Sequence, residues 1–157
     1  DYLLKVWQVL AKKYPDWNLK IVGSGEEEEN LKKLAKALDI ENSVNFIPRT
    51  HDVSFYYESS SIYCLPSQTE GLPLVVIEAM AFGLPIVAFN CSPGVKQLVE
   101  NKKNGFLCEQ NNIEEMVKGL DLLINNPELY QQMSDKSRLM SEDYGIEKII
   151  EEWKGIL

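Results

Sequence analysis

The sequence contains a single histidine, His51, and only three cysteines, Cys64, Cys91 and Cys108, none of them in a CxxC pair. A structural zinc site needs four such ligands at close spacing, so that class of site is excluded. The cysteines are odd in number, widely spaced and set in or beside apolar runs. They read as three buried free thiols in a reducing compartment. No apolar run approaches the ~20 residues that span a bilayer, and the opening DYLLKVWQVL lacks the basic segment of a signal peptide. Positive charge is scarce: 16 Lys and Arg stand against 24 Asp and Glu, a net charge of −8. A surface that follows a phosphate backbone needs the opposite sign, which argues against a nucleic-acid partner. There is no internal repeat and no low-complexity linker. The 157 residues are enough for one domain and too few for two ordinary ones.

What is present is the composition of a soluble globular chain, 45% hydrophobic and 25% charged. Leu3, Leu4, Trp7, Leu10, Ala11 and Tyr14 fall on one helical face, so the chain opens inside an amphipathic helix. Such a start is expected of a piece of a longer protein. Apolar runs of strand length then alternate with helical patterns. Leu19–Val22, Val44–Ile47, Ile62–Leu65, Ile86–Phe89 and the brief Phe106–Leu107 read as strands. Between them come a helix marked by Leu31, Leu34, Ala35 and Leu38, a short one near 52–59, an apolar one over 74–82 and a short one around 95–99. Three more follow, marked by Ile113, Met116, Val117 and Leu120; by Leu129, Tyr130 and Met133; and by Ile146, Ile149, Ile150 and Trp153. The acidic run 26–29 reads as the solvated first turn of the first of these helices, with Lys32, Lys33 and Lys36 behind it.

Alternation of this kind, with short and continuously apolar strands, implies an α/β fold: a Rossmann-like, doubly wound parallel sheet with helices on both faces. Ligands of such sheets lie beyond the carboxyl ends of the strands. The informative residues should therefore follow the apolar runs: 23–25, 48–50, 66–73 and 90–94. Gly23-Ser24-Gly25 is a weak dinucleotide signal, because the sixth position is Glu28 and four consecutive acids would repel a pyrophosphate. A tight strand-to-helix turn accounts for it.

The segment PSQTEGLPLVVIEAMAFGLPIVA, residues 66–88, concentrates the chemistry. Pro73 suits the first turn of a helix, where its missing N–H costs nothing, and Gly83 with Pro85 supplies the stop. Glu70 thus lies in the loop, and Glu78 about one and a half turns inside the helix. A carboxylate among Leu74, Val75, Ile77 and Ala79 is costly unless it accepts hydrogen bonds. The adjacent hydroxyls of a ribose could donate two, while a Lys or Arg partner or a neighbouring turn would serve equally. Free N–H groups at the helix start favour a phosphate, and Gly71 lets the backbone approach a ligand. Glu70 on its own is also compatible with a solvated loop.

Residues 66–88 resemble the signature of glycosyltransferase family 4, retaining nucleotide-sugar-dependent enzymes of the GT-B fold. That signature is Pro-Ser, two residues, Glu-Gly, then a helix ending in Ile-Glu-Ala-Met-Ala, a Gly, and Pro-Ile-Val-Ala. Weaker likenesses run through Ile-Val-Gly-Ser-Gly at 21–25, Val-Asn-Phe-Ile at 44–47, Asn-Gly-Phe-Leu at 104–107 and the Trp153 helix. The resemblance implies that Glu78 holds the nucleotide ribose and that Glu70 contacts the donor sugar as the catalytic candidate. Backbone at Gly71, Leu72, Pro73 and Leu74 would touch sugar and phosphate, with Ile47, Pro48 and Arg49 against the base. A guanidinium stacking on a base is physically sensible, and a plain surface charge is the alternative for Arg49. Where the family often has Gly-Gly-x-x-Glu, this chain departs from it and reads Pro93-Gly94-Val95-Lys96-Gln97, without the Glu of that loop's sugar contact.

The resemblance further implies that residues 1–157 are the C-terminal, donor-binding half, with a first strand, an Arg–Lys pair for the diphosphate and an N-terminal acceptor domain elsewhere in the polypeptide. The terminal helix, 146–157, is expected to pack toward that domain; packing on its own sheet is the alternative. Expected partners are a UDP- or GDP-sugar and a glycan or lipid-linked acceptor of cell-surface polysaccharide synthesis. No metal or cofactor is expected. The location is expected to be cytoplasmic, with peripheral attachment of the full-length enzyme to the inner membrane face as a variant. A sugar-nucleotide epimerase of the same fold, and a non-catalytic nucleotide-sugar-binding module, are the competing readings.

Overall fold

The structure, a computed structural model, describes residues 1–155, with the side chains of residues 147, 149 and 152 outside that description. Helix α1 (Tyr2–Ala11) leads into strand β1 (Leu19–Val22), helix α2 (Glu28–Ala37) and strand β2 (Val44–Ile47). Helix α3 (Ser54–Glu58), strand β3 (Tyr63–Leu65), helix α4 (Leu74–Ala81) and strand β4 (Ile86–Phe89) follow. Then come helix α5 (Pro93–Leu98), strand β5 (Gly105–Cys108) and helices α6 (Ile113–Asn125), α7 (Pro127–Ser141) and α8 (Ile146–Lys154).

Side-chain chemistry sets several of these boundaries. Ser92, Asn112 and Asn126 each accept a hydrogen bond from the backbone N–H three residues on, capping α5, α6 and α7. Pro93 and Pro127 sit in the first turns, where their missing N–H is harmless. Helix α4 is closed off by Gly83, two residues past its end, with φ +75°. The N–H of Gly83 bonds Met80 O and that of Leu84 bonds Ala79 O, the paired closure that a left-handed residue allows. In α2, Lys32 pairs with Glu28 at 2.7 Å and Glu29 at 3.3 Å, so the acidic run belongs to a solvated helix start. Gly23 donates its N–H to Ile47 O at 2.9 Å, joining the turn after β1 to the end of β2.

All strand pairings are parallel. The sheet forms two ladders, β1–β2 and β3–β4–β5. Every residue of β4 is buried, and its side chains divide by the two-residue period of a strand. Val87 and Phe89 join a core with α1 (Leu4, Trp7, Leu10), α6 (Met116, Leu120) and Met133. Ile86 and Ala88 join a second core with α4 (Val76, Ala79, Met80), α5 (Val95, Leu98) and Met140. Helices therefore cover both faces, as the alternation predicts. Lys13 Nζ and Tyr14 Oη both donate to Asp121 Oδ1, at 2.5 and 2.6 Å, tying the segment after α1 to α6.

The free edge of β1 and the free edge of β3 both border one cavity of about 740 Å³, whose walls include all four residues of β1, Ile62, Tyr63 and Cys64. Two points correct the sequence reading. Of the three thiols only Cys108 is buried as a residue, while Cys64 and Cys91 are partly exposed. Pro73 stands just before α4 as its cap residue, with ψ 103°, rather than within its first turn. Among the described residues no helix is long and apolar enough to cross a membrane.

Candidate functional site

The site candidates lie on the connection from β3 to α4 and on the helix itself. The loop 66–73 is fixed from below by two neighbouring segments. Gln110 Nε2 donates to Gln68 O at 2.7 Å, and Ser92 Oγ donates to Gly71 O at 3.3 Å. Gly94, in the first turn of α5, lies so close that a β-carbon there would stand 1.9 Å from the Gly71 carbonyl oxygen. The Pro-Gly departure from the expected Gly-Gly thus keeps the one glycine this contact demands. Leu72 and Leu74 are open, with 46% and 64% of their surfaces exposed, whereas Pro73 is buried beneath them. Among the described residues no side chain caps α4, so its start keeps the partial positive charge of unpaired helix N–H groups.

Glu70 and Glu78 lie four residues before and four residues after Leu74, the first residue of α4. Burial first, then the charges of Cys64, Glu70 and Glu78, push the Tyr63 hydroxyl up to about 12. Burial, then Glu70, also raises the thiol of Cys91 beside the loop. Glu78 is exposed on the outer side of α4 and lines the cavity between the ladders. Its partner is neither Lys nor Arg: Tyr57 Oη donates to Glu78 Oε2 at 2.9 Å. The Tyr57 ring stacks on Phe82 with centroids 5.4 Å apart and planes at 21°, and lies 6.1 Å from Tyr63. An acidic pair thus flanks an uncapped helix start. Such an arrangement accepts hydrogen bonds from hydroxyls and offers N–H groups to an anion.

Ile47 ends β2, and Pro48 and Arg49 follow it beside the carboxyl end of β1, with which β2 runs parallel in register. Pro48 and Arg49 are exposed, and Arg49 forms no ion pair among the described residues. None of the three lines the cavity that holds Glu78. Ser92 and Gly94 fall in the 90–94 segment that the sequence singles out, whereas Tyr57, Tyr63 and Gln110 escaped the sequence reading, because their contacts join segments far apart in the chain. Ile146, Ile150 and Trp153 of α8 are 74%, 45% and 67% exposed, an apolar stripe facing outward. Ile149's side chain and residues 156–157 lie outside the described residues.

A parallel sheet covered on both faces, with its loop candidates at the carboxyl edge, is the Rossmann-like half of the GT-B architecture. The chain belongs to the family of glycosyl transferases group 1, whose family model matches residues 1–140. An uncharacterized glycosyltransferase of Haemophilus influenzae is 96% identical over 157 residues, covering 100% of this chain and 44% of that protein. The amylovoran biosynthesis glycosyltransferase AmsD of Erwinia amylovora is 34% identical over 155 residues, 99% of this chain and 43% of that protein. A solved structure of a Staphylococcus aureus TarM mutant, in complex with fondaparinux, alpha-GlcNAc-glycerol and UDP, superposes with a TM-score of 0.91. It is 31% identical and covers 99% of this chain and 32% of that one. The chain spans less than half the length of these relatives.

Proposed function

We propose that this chain is the donor-binding half of a retaining glycosyltransferase that moves a sugar from a UDP- or GDP-sugar to a glycan or lipid-linked acceptor. The observation that carries this reading is the placement of Glu70 in the loop before the uncapped start of α4 and of Glu78, held by Tyr57, on that helix. In it, Glu78 accepts from the ribose hydroxyls, and Glu70 accepts from the donor sugar next to the anomeric carbon. Backbone N–H groups at Leu72 and Leu74 meet the phosphates, Gly71 leaves room for the sugar, and buried Pro73 holds the turn. Ile47, Pro48 and Arg49 border the base. As the glycosidic bond to the diphosphate breaks, negative charge grows on the leaving oxygens. The helix start stabilises that charge without needing to reorganise.

A cationic pair outside residues 1–157, implied by the family resemblance, would complete this stabilisation; no metal enters the proposal. A further parallel strand, implied by the same resemblance, would fill the cavity between β1 and β3 and pair with both free edges. The apolar stripe on α8 would meet the acceptor domain. The name of AmsD supports a role in polysaccharide synthesis, and a cytoplasmic location follows from where nucleotide sugars would be used.

The reading is tested by titrating the 157-residue chain with UDP, GDP and their sugars in a calorimeter, and by radiolabelled transfer. Weak binding without turnover is expected of the chain alone, because orientation and charge stabilisation each contribute several kcal/mol and need the other half. Absence of binding to every nucleotide at about millimolar ligand, a regime of about −4 kcal/mol, would sink the donor-half reading. Turnover by the chain alone near the rate of the longer polypeptide would sink the division of labour.

A further inference from the structure

Glu78 carries a long side chain on an exposed face of α4, and fixing such a side chain costs about 1.5–2 kcal/mol of rotamer freedom. A ribose diol asks for a carboxylate already turned toward it. Tyr57 supplies the restraint. Its hydroxyl donates to one carboxylate oxygen, Oε2, at 2.9 Å. The other oxygen accepts no hydrogen bond from the described residues. The Val75 carbonyl, at 3.5 Å, is the weaker claimant for the same proton. Tyr57 is itself held in place: its ring is stacked against Phe82 and flanked by Tyr63, and both Tyr57 and Glu78 line the cavity between the ladders.

We propose that Tyr57 is a positioning residue for nucleotide recognition: it orients the Glu78 carboxylate so that one oxygen is locked and the other is presented to the ribose hydroxyls of the donor. This rests on the ribose assignment of Glu78 made above and adds a residue that touches the ligand only through Glu78. Burial, followed by the bond to Glu78, raises the phenol's pKa, so the hydroxyl keeps the proton it donates. The aromatic clamp explains why a tyrosine suits the place. A flexible donor such as lysine would neutralise the carboxylate and compete with the diol, whereas a phenol donates one bond and leaves the charge in place.

The test compares the wild-type chain with Tyr57→Phe and Glu78→Gln. Each is titrated with UDP and GDP and with the 2′,3′-dideoxy form of each nucleotide. The wild type is expected to prefer the ribose form by about tenfold or more, the weight of hydrogen bonds to a charged acceptor. Glu78→Gln should erase most of that preference. Tyr57→Phe keeps the ring and its stacking, and should cut the preference about fivefold, the weight of about one net hydrogen bond. Affinity for the dideoxy forms should not change. Equal losses for ribose and dideoxy forms in Tyr57→Phe would mean a merely structural role and overturn the proposal. An unchanged ribose preference in Tyr57→Phe, with its loss in Glu78→Gln, would overturn the positioning role while leaving the ribose assignment intact. An unchanged preference in Glu78→Gln, or no binding of either nucleotide, would overturn the underlying assignment and this proposal with it.

Discussion

Glu70 and Glu78 are the same residue type placed eight positions apart, and their surroundings give them different work. Glu70 sits partly exposed on a loop held by Ser92 and Gln110, whereas Glu78 rides a helix and is engaged by Tyr57. If one meets the sugar and the other the ribose, their substitutions should separate by ligand part. Glu78→Ala should weaken binding of bare nucleoside diphosphate by about 1.5–3 kcal/mol, the scale of hydrogen bonds to a charged acceptor. Glu70→Ala in the longer polypeptide should depress turnover of the sugar donor and leave affinity for the bare diphosphate nearly unchanged. Calorimetry beside a transfer assay reads both, and equal losses for the two ligands in both variants would show that the acids serve one moiety or the fold. Neither change should disturb the core, because Glu78 is exposed and its helix is anchored by Val76, Ala79 and Met80 on the opposite side.

Helices α4 and α5 meet the sheet from one side, and Gly71 in the loop carrying Glu70 packs against the first turn of α5. Gly94 sets that spacing. A methyl there would press on the Gly71 carbonyl, a backbone atom that cannot swing aside as a side chain would. Gly94→Ala should therefore cost about 1–3 kcal/mol of stability by overpacking and weaken nucleotide binding as the loop shifts. Denaturant melts beside a nucleotide titration check it; wild-type behaviour in both would mean the loop yields freely. Farther from the site, the buried Asn104 works as a pin between α5 and β5. Its Nδ2 donates to Leu98 O at 2.9 Å and its Oδ1 accepts from Glu100 N at 2.8 Å. Asn104→Ala leaves both backbone groups without that partner and should cost about 1–3 kcal/mol, with donor affinity unchanged at permissive temperature. A loss of affinity at full folding would link this corner to the site.

Across the whole molecule, acids of high pKa lie on strands β3 and β5. Burial above all pushes the thiols of Cys64 and Cys108 and the phenol of Tyr63 up to about 12, from ordinary values of 9.0 and 10.0. A folded-state pKa above the unfolded one means the folded state holds the proton more tightly. The stability so contributed is complete below the unfolded pKa and is lost as pH climbs toward the folded pKa. Denaturant midpoints should hold steady near neutrality and fall from about pH 9 to about pH 12. A midpoint unchanged across that window would mean these groups ionise in place at no cost. Sequence alone determined the element order, the two-faced parallel architecture and the Glu70–Glu78 segment. Strand-length apolar runs, Gly and Pro stops and a contiguous motif are local signals, because hydrophobic periodicity and turn chemistry act over a few residues. Only the tertiary structure decided that Tyr57 answers Glu78, that Gly94 carries the Gly71 turn, and that β1 and β3 face each other across a cavity instead of pairing. Those contacts join residues about twenty to forty positions apart, and which distant groups meet is fixed by how helices and strands stack, which no local pattern encodes.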